Sequence, residues 1–103
     1  MRFVDAADHE GSRPWEALDL AMISGATVRL HWTDAPCRWH VNDGLEAFVV
    51  LDGMVDMHYR IDGVVKVERL TPGRICTVDE GDEHVAHPVG PARILVVEQG
   101  GSD

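Results

Sequence analysis

Basic residues and long apolar runs are both scarce in this 103-residue chain. Nine Lys and Arg stand against eighteen Asp and Glu, which gives a formal net charge of -9 at pH 7. Nucleic acids and anionic membranes are bound through cationic side chains, so neither is predicted as a partner. No apolar run approaches the roughly twenty residues that span a bilayer, and residues 1–8 turn acidic before any signal-like stretch develops. A cytoplasmic location is predicted.

Cysteine is scarce as well. Cys37 and Cys76 form neither a zinc-type pair nor a disulfide framework. Reduced thiols in a cytosolic protein are the favoured interpretation. The spacing leaves a single Cys37–Cys76 bond open as the alternative.

The length of the chain suits one domain over residues 1–103, with an amino-terminal arm at 1–12 and a barrel core at about 26–98. A chain this short buries a modest fraction of its surface, so a second copy would add stability. Residues 47–51 and 94–97 are apolar on both faces of their predicted strands and need a cover. An amino-terminal helix would cover part of their outer faces. Burial of these faces in a homodimer is the simpler explanation.

The pattern of turn residues predicts an all-β fold preceded by one short helix. Residues 12–22 place Ser12 ahead of Pro14 and then good helix formers, which is a helix-start pattern. Short strands separated by turns at intervals of about 8–12 residues are typical of an antiparallel β-barrel or jelly roll. Strands are predicted over residues 27–32, 38–42, 46–52, 54–61, 64–70, 74–78, 83–86 and 92–98.

The stretch from Arg38 to Glu46 contains the main candidate site. Residues two apart on a strand share a face, so Arg38, His40 and Asn42 are expected to point the same way. A tight turn at residues 42–44 would send the chain back antiparallel, and Glu46 would then begin the neighbouring strand on the same face. With His84 from a distant strand, two imidazoles and a carboxylate would be available to hold a divalent transition metal.

These residues resemble the two sequence motifs of the cupin superfamily. The H-x-H-x3,4-E-x6-G part of the first motif reads His40-x-Asn42-x3-Glu46-x6-Gly53. The second motif, G-x5-P-x-G-x2-H-x3-N, reads Gly73-x5-Asp79-x-Gly81-x2-His84-x3-Pro88. The resemblance covers residues 15 to 98 and implies a small single-domain cupin barrel. Asp79 and Pro88 depart from the motif at turn and packing positions.

The resemblance implies a metal held by His40, Glu46 and His84, with Asn42 in place of a second histidine. Such a 2-His-1-carboxylate face suits Fe or Mn, with Zn or Ni as further candidates. Asn42 is either a weak oxygen ligand or a turn-forming residue. Glu46 is the candidate catalytic base, and isomerase- or dioxygenase-type chemistry is implied. The predicted substrate pocket contains Arg38, His31, Tyr59 and Phe48.

A second interpretation of the same residues involves neither a bound metal nor catalysis. The polar cluster could be satisfied by hydrogen bonds alone, in a ligand-binding or sensing module with a degenerate or empty metal site. His31, His58 and His87 are each more often surface or sheet-face residues than cavity residues. In both interpretations the partner is a small molecule.

Overall fold

The computed structural model describes residues 1–99, and these residues form nine antiparallel strands. The strands are β1 (Glu16–Ile23), β2 (Ala26–Thr33), β3 (His40–Val41), β4 (Glu46–Asp52), β5 (Val55–Ile61), β6 (Val64–Leu70), β7 (Ile75–Val78), β8 (Glu83–Pro88) and β9 (Ala92–Glu98). A 3-10 turn at Ala6–Asp8 precedes them. No helix in this part of the chain is long and apolar enough to cross a bilayer. The cytoplasmic location stays a prediction.

Two sheets face one another across a single apolar core. The first has the order β1-β2-β9-β4-β7 and the second the order β3-β8-β5-β6. Burial alternates along β4, because successive side chains of a strand point to opposite faces. The core is formed by side chains from both sheets: Phe48, Val50, Ile94 and Val96 from the first, and Val55, Met57, Leu70 and Ala86 from the second. The predicted all-β antiparallel architecture is confirmed.

The β5–β6 hairpin forms where its turn residues predict it. Asp62 and Gly63 connect the two strands with φ of 50° and 77°, and Ile61 pairs with Val64 across the turn. Two consecutive positive φ values fit the right-handed twist of a two-residue hairpin, and Asp-Gly is a favoured sequence for it.

The helix predicted over residues 12–22 is wrong, because most of this segment is strand β1. It pairs with β2 from Glu16 opposite Trp32 to Ile23 opposite Ala26. Ser24 and Gly25, which were expected to end a helix, instead form the hairpin turn with φ of 49° and 82°. Pairing with β2 overrides the helix propensity of the segment, since propensity is weaker than tertiary context.

The hairpin predicted at residues 42–44 is also wrong. Strand β3 contains only His40–Val41 and pairs with β8 in the second sheet, whereas β4 belongs to the first sheet. The backbone N–H of Asn42 donates to Asp82 O at 2.9 Å, and Gly81 N–H donates to Asn42 O at 2.8 Å. These bonds direct the segment towards the 79–82 loop, so the chain crosses between sheets.

The amino-terminal arm covers part of the outer face of the first sheet. Arg2 donates to Asp19 O at 3.1 Å, and Arg93 donates to His9 O at 2.9 Å. Gly11 lies so close to Trp32 that a Cβ would be 2.6 Å from the indole ring. Some apolar side chains on this face stay open, and Ile75 is 64% exposed. The homodimer stays a prediction.

Candidate ligand-binding cavity

Strands β3 and β8 place His40 and His84 side by side. The two residues are direct partners in the antiparallel register, and their ring centroids lie 4.2 Å apart with planes tilted by 60°. His84 is 4% exposed, while His40 is half-buried. Forty-four positions separate them along the sequence, so the juxtaposition comes from strand pairing.

A hydrogen bond fixes the tautomer of His40, and burial governs the protonation of His84. His40 Nδ1 lies 2.9 Å from the carbonyl oxygen of Arg38. A carbonyl only accepts, so Nδ1 carries the hydrogen and Nε2 presents a lone pair when the ring is neutral. His84 Nδ1 is buried without a hydrogen-bond partner among residues 1–99. Burial, followed by the neighbouring His40, lowers the pKa of His84, so this ring is neutral at pH 7.

Glu46 begins β4 and faces the same cavity. The residue is 8% exposed, and its cross-strand partner on β9 is Glu98. Burial, followed by the charge of Glu98, raises the pKa of Glu46 to about 7. This carboxyl therefore exists in both protonation states near neutral pH. It is the group in this cavity best placed to give or accept a proton.

These side chains line a cavity of about 230 Å³ at one end of the sandwich. Three of the four residues predicted for the substrate pocket, His31, Arg38 and Phe48, line it too. Tyr59 does not: it lies opposite His84 in the register and lines a separate cavity of about 280 Å³. His31 is held by Trp15 O at 3.3 Å, and burial lowers the pKa of its ring.

Sequence reasoning missed Glu98 as a cavity residue, although a signal was present. Ile94, Val96 and Glu98 alternate along one strand, and the first two are buried in the core. The same period of two places Glu98 on the inner face. Glu98 matters for the chemistry of the cavity because its negative charge helps to raise the pKa of Glu46.

Solved structures share this fold. A cupin-2 domain containing protein from Shewanella frigidimarina superposes with a TM-score of 0.76 at 21% identity, over 86% of this chain and 84% of that one. A cupin superfamily protein from Desulfitobacterium hafniense gives 0.78 at 14% identity, over 92% and 86%. The chain has the cupin fold. No family model matches the sequence, and no curated protein matches it significantly.

An epoxidase is also among the structures with this fold. Hydroxypropylphosphonic acid epoxidase from S. wedmorenis superposes with a TM-score of 0.63 at 18% identity, over 72% of this chain and 43% of the epoxidase. The similarity is one of fold. The resemblance read from the two motifs is thus confirmed at the level of the cupin barrel.

The predicted metal ligands of this cupin barrel are only partly brought together. His40 and His84 are adjacent, and Glu46 lines the same cavity. Among residues 1–99, however, no three His, Cys, Asp or Glu side chains form a group that could hold a metal ion. The residues as placed therefore do not fit a three-ligand metal centre.

Asn42 lies outside the cavity wall. It is 2% exposed, and its side-chain nitrogen donates to Gly44 O at 2.6 Å. The backbone N–H of Asn42 donates to Asp82 O, and the backbone carbonyl of Asn42 accepts from Gly81 N–H. Of the two roles that the sequence left open, this placement favours the turn-forming one.

Substitution of Asn42 tests that role. We expect Asn42→Ala to lower the free energy of unfolding by about 1–3 kcal/mol, because Gly44 O loses its buried donor. Asn42→His, which restores the cupin motif, is expected to leave the affinity for Zn²⁺ unchanged. Denaturant unfolding and metal titration measure both. A clear gain in metal affinity in Asn42→His would place the side chain in the cavity instead.

The two cysteines are free thiols, as favoured from the sequence. Cys37 lines the cavity and lies close to Ala86, whose N–H donates to its Sγ at 3.3 Å. Burial is the main cause that raises the pKa of both thiols. Neither is therefore activated as a nucleophile at neutral pH.

Proposed function

We propose that this cupin barrel binds a small polar molecule in the His40–His84 cavity and exchanges a proton with it through Glu46. The observation that carries the proposal is the convergence of a carboxyl of pKa about 7 with two adjacent imidazoles in one cavity. The volume of about 230 Å³ is below the roughly 300–1,000 Å³ of sites for drug-sized ligands. The ligand is accordingly small.

The charges around the cavity indicate how the ligand would lie. Glu46 and Glu98 face each other, so this part of the cavity disfavours an anionic group. An ionised carboxylate can accept a hydrogen bond from a hydroxyl group, and protonated Glu46 can donate one to a carbonyl oxygen. Arg38 is exposed on the lining and can bind a carboxylate through two parallel hydrogen bonds. We therefore propose a small hydroxy or keto acid, with its carboxylate at Arg38.

Proton transfer is the chemistry that these side chains supply. A general acid or base works best when its pKa is close to the working pH, and Glu46 meets that condition. A neutral His84 can donate or accept a hydrogen bond at the group that gains or loses charge. Isomerase-type chemistry beside a carbonyl is the reaction class that follows. Binding without turnover is the non-catalytic alternative.

A metal-dependent function is the second candidate. The lone pair on His40 Nε2 and the unpartnered His84 Nδ1 are the observations that favour it. A solved structure of Fe(II)-HppE shares the fold with a TM-score of 0.62 at 18% identity. In this candidate, His40 and His84 would hold a divalent ion such as Fe, Mn, Zn or Ni, and the bound ion would supply Lewis acidity or dioxygen chemistry.

Solvent deuterium exchange tests the proton-transfer proposal. Small hydroxy and keto acids are first screened for thermal stabilisation of the protein, and those that bind are incubated with it in D₂O. We expect wash-in of deuterium beside the carbonyl group, at least 100-fold slower in Glu46→Gln. Glu80→Gln, a change at an exposed loop carboxylate, is the matched control and should keep the full rate. Binding without wash-in would overturn catalysis and leave the binding module.

Metal analysis separates the second candidate from the first. Untagged protein is purified without chelator, and its metal content is compared with that of His40→Ala and His84→Ala. A near-stoichiometric metal that both variants lose would establish the metal-dependent candidate. Metal-free protein that still exchanges deuterium would overturn it.

A further inference from the structure

A second pair of histidines lies on the other face of the β3-β8-β5-β6 sheet. In the register of β5 with β8, His58 is opposite Val85 and His87 is opposite Asp56, which makes the two histidines diagonal neighbours. Their ring centroids lie 4.2 Å apart with planes tilted by 45°. Met57 and Ala86, the adjacent residues in the chain, are buried in the core. The two rings therefore point outward.

Both rings are available to a ligand. Each histidine is half-buried, so its ring is supported by the sheet and still reaches solvent. Within the described chain no hydrogen bond to a protein group occupies a nitrogen of either ring. Val85 lies opposite His58 and two positions before His87 on this face, and it is only 2% exposed.

We propose that His58 and His87 form a surface site for a divalent transition metal ion, Zn²⁺, Cu²⁺ or Ni²⁺. Imidazole is the side chain most often used for these ions. Rings this close need only rotation about their side-chain torsions to bring one nitrogen each to an ion at about 2.0–2.1 Å. Two protein ligands leave the other positions to water.

One ionised carboxylate lies beside the two rings, and an arginine balances its charge. Asp56 lies opposite His87, and its carboxylate is held by Arg69 through bonds of 2.8 and 3.0 Å. The Arg69 hydrogen bond is the main cause that lowers the pKa of Asp56, and both histidines contribute further. The carboxylate is therefore ionised beside the rings. The net charge of -9 also raises the local concentration of cations around the protein.

The site is independent of the cavity. Strand β8 turns His84 inward and His87 outward, because three positions along a strand reverse the face. An ion at His58 and His87 would thus lie on the opposite side of the sheet from the His40–His84 pair. Variants at one pair leave the other pair in place.

Calorimetric titration of untagged protein with ZnCl₂ tests the proposal. We expect a binding event that weakens at least tenfold in His58→Gln and in His87→Gln, and is absent from the double variant. His9→Gln, a histidine in the arm, should bind as the unaltered protein does. Thermal unfolding establishes that each variant is folded. Unchanged Zn²⁺ affinity in a folded double variant would overturn the site.

The same titration distinguishes this site from a metal in the cavity. The His40→Ala, His84→Ala double variant should keep the surface binding event. Loss of all Zn²⁺ binding in that variant, with full binding in the His58→Gln, His87→Gln protein, would assign the ion to the cavity and reject the surface site. Failure of the proton-transfer proposal has a separate readout, because deuterium wash-in does not depend on His58 or His87.

Discussion

Replacing Glu46 with glutamine is expected to raise the free energy of unfolding at pH 8 by about 3 kcal/mol. The folded protein holds the pKa of this carboxyl at about 7, against an ordinary value of 4.5. The folded state therefore favours the protonated carboxyl more than the unfolded state does. Glutamine has nearly the same shape and no charge to bury, so it removes this penalty.

The sign of the effect defines its pH window. Below pH 4.5 the carboxyl is protonated in both states, and its contribution to stability is fully present. As the pH rises from 4.5 through about 7, the unfolded state ionises first and that contribution is lost. Denaturant unfolding at pH 5 and pH 8 should show a smaller fall in stability in Glu46→Gln than in the unaltered protein.

Two further variants separate the causes of the shift. Glu80→Gln changes an exposed carboxyl and should leave the profile as it is. Glu98→Gln should move the loss of stability only part of the way towards lower pH, because burial of Glu46 contributes more to its raised pKa than Glu98 does. Equal stability of Glu46→Gln and the unaltered protein at pH 8 would contradict a buried Glu46 whose pKa is raised to about 7.

Gly53→Ala is expected to lower the free energy of unfolding by about 2–5 kcal/mol. Gly53 has φ of 82°, which is unfavourable for any residue with a Cβ. An added Cβ would also lie 2.5 Å from Pro91 O and 3.0 Å from Ala92 Cα. These are backbone atoms at the start of β9, so relief of the clash requires movement of a core strand.

Gly73→Ala is the matched control for this prediction. Gly73 has φ of 91°, but no atom lies within 4 Å of the position of its Cβ. This variant should carry only the backbone strain of about 1–2 kcal/mol. Denaturant midpoints of the two variants give the steric part as a difference. Equal destabilisation of both would show that β9 shifts at no cost.

The sequence predicts the strands well where their local chemistry is unambiguous. Residues 46–52, 64–70 and 92–98 were predicted as strands with the bounds that the structure has. Their β-branched residues and flanking turns agree with their tertiary environment. The helix predicted over residues 12–22 is wrong, because the helix-forming composition of this segment conflicts with its pairing to β2, which the local sequence does not specify.

The sequence also predicts only part of the candidate site. His40, Glu46 and His84 could be selected from their spacing, and the structure places all three on one cavity. The hairpin that was expected to join His40 to Glu46 does not exist, since the two residues lie in different sheets. Glu98, which was not selected, is the neighbour whose charge helps to raise the pKa of Glu46.

Local chain chemistry is thus enough to show that this protein alternates between strands and turns, and which side chains of each strand share a face. A period of two carries no information about which strand lies alongside. The strand order alone brings His84 against His40, places Glu98 opposite Glu46 and aligns Gly53 with β9. Burial and neighbouring charge govern the proton affinity of a carboxyl, so the chemistry of the cavity emerges only when the two sheets close over it.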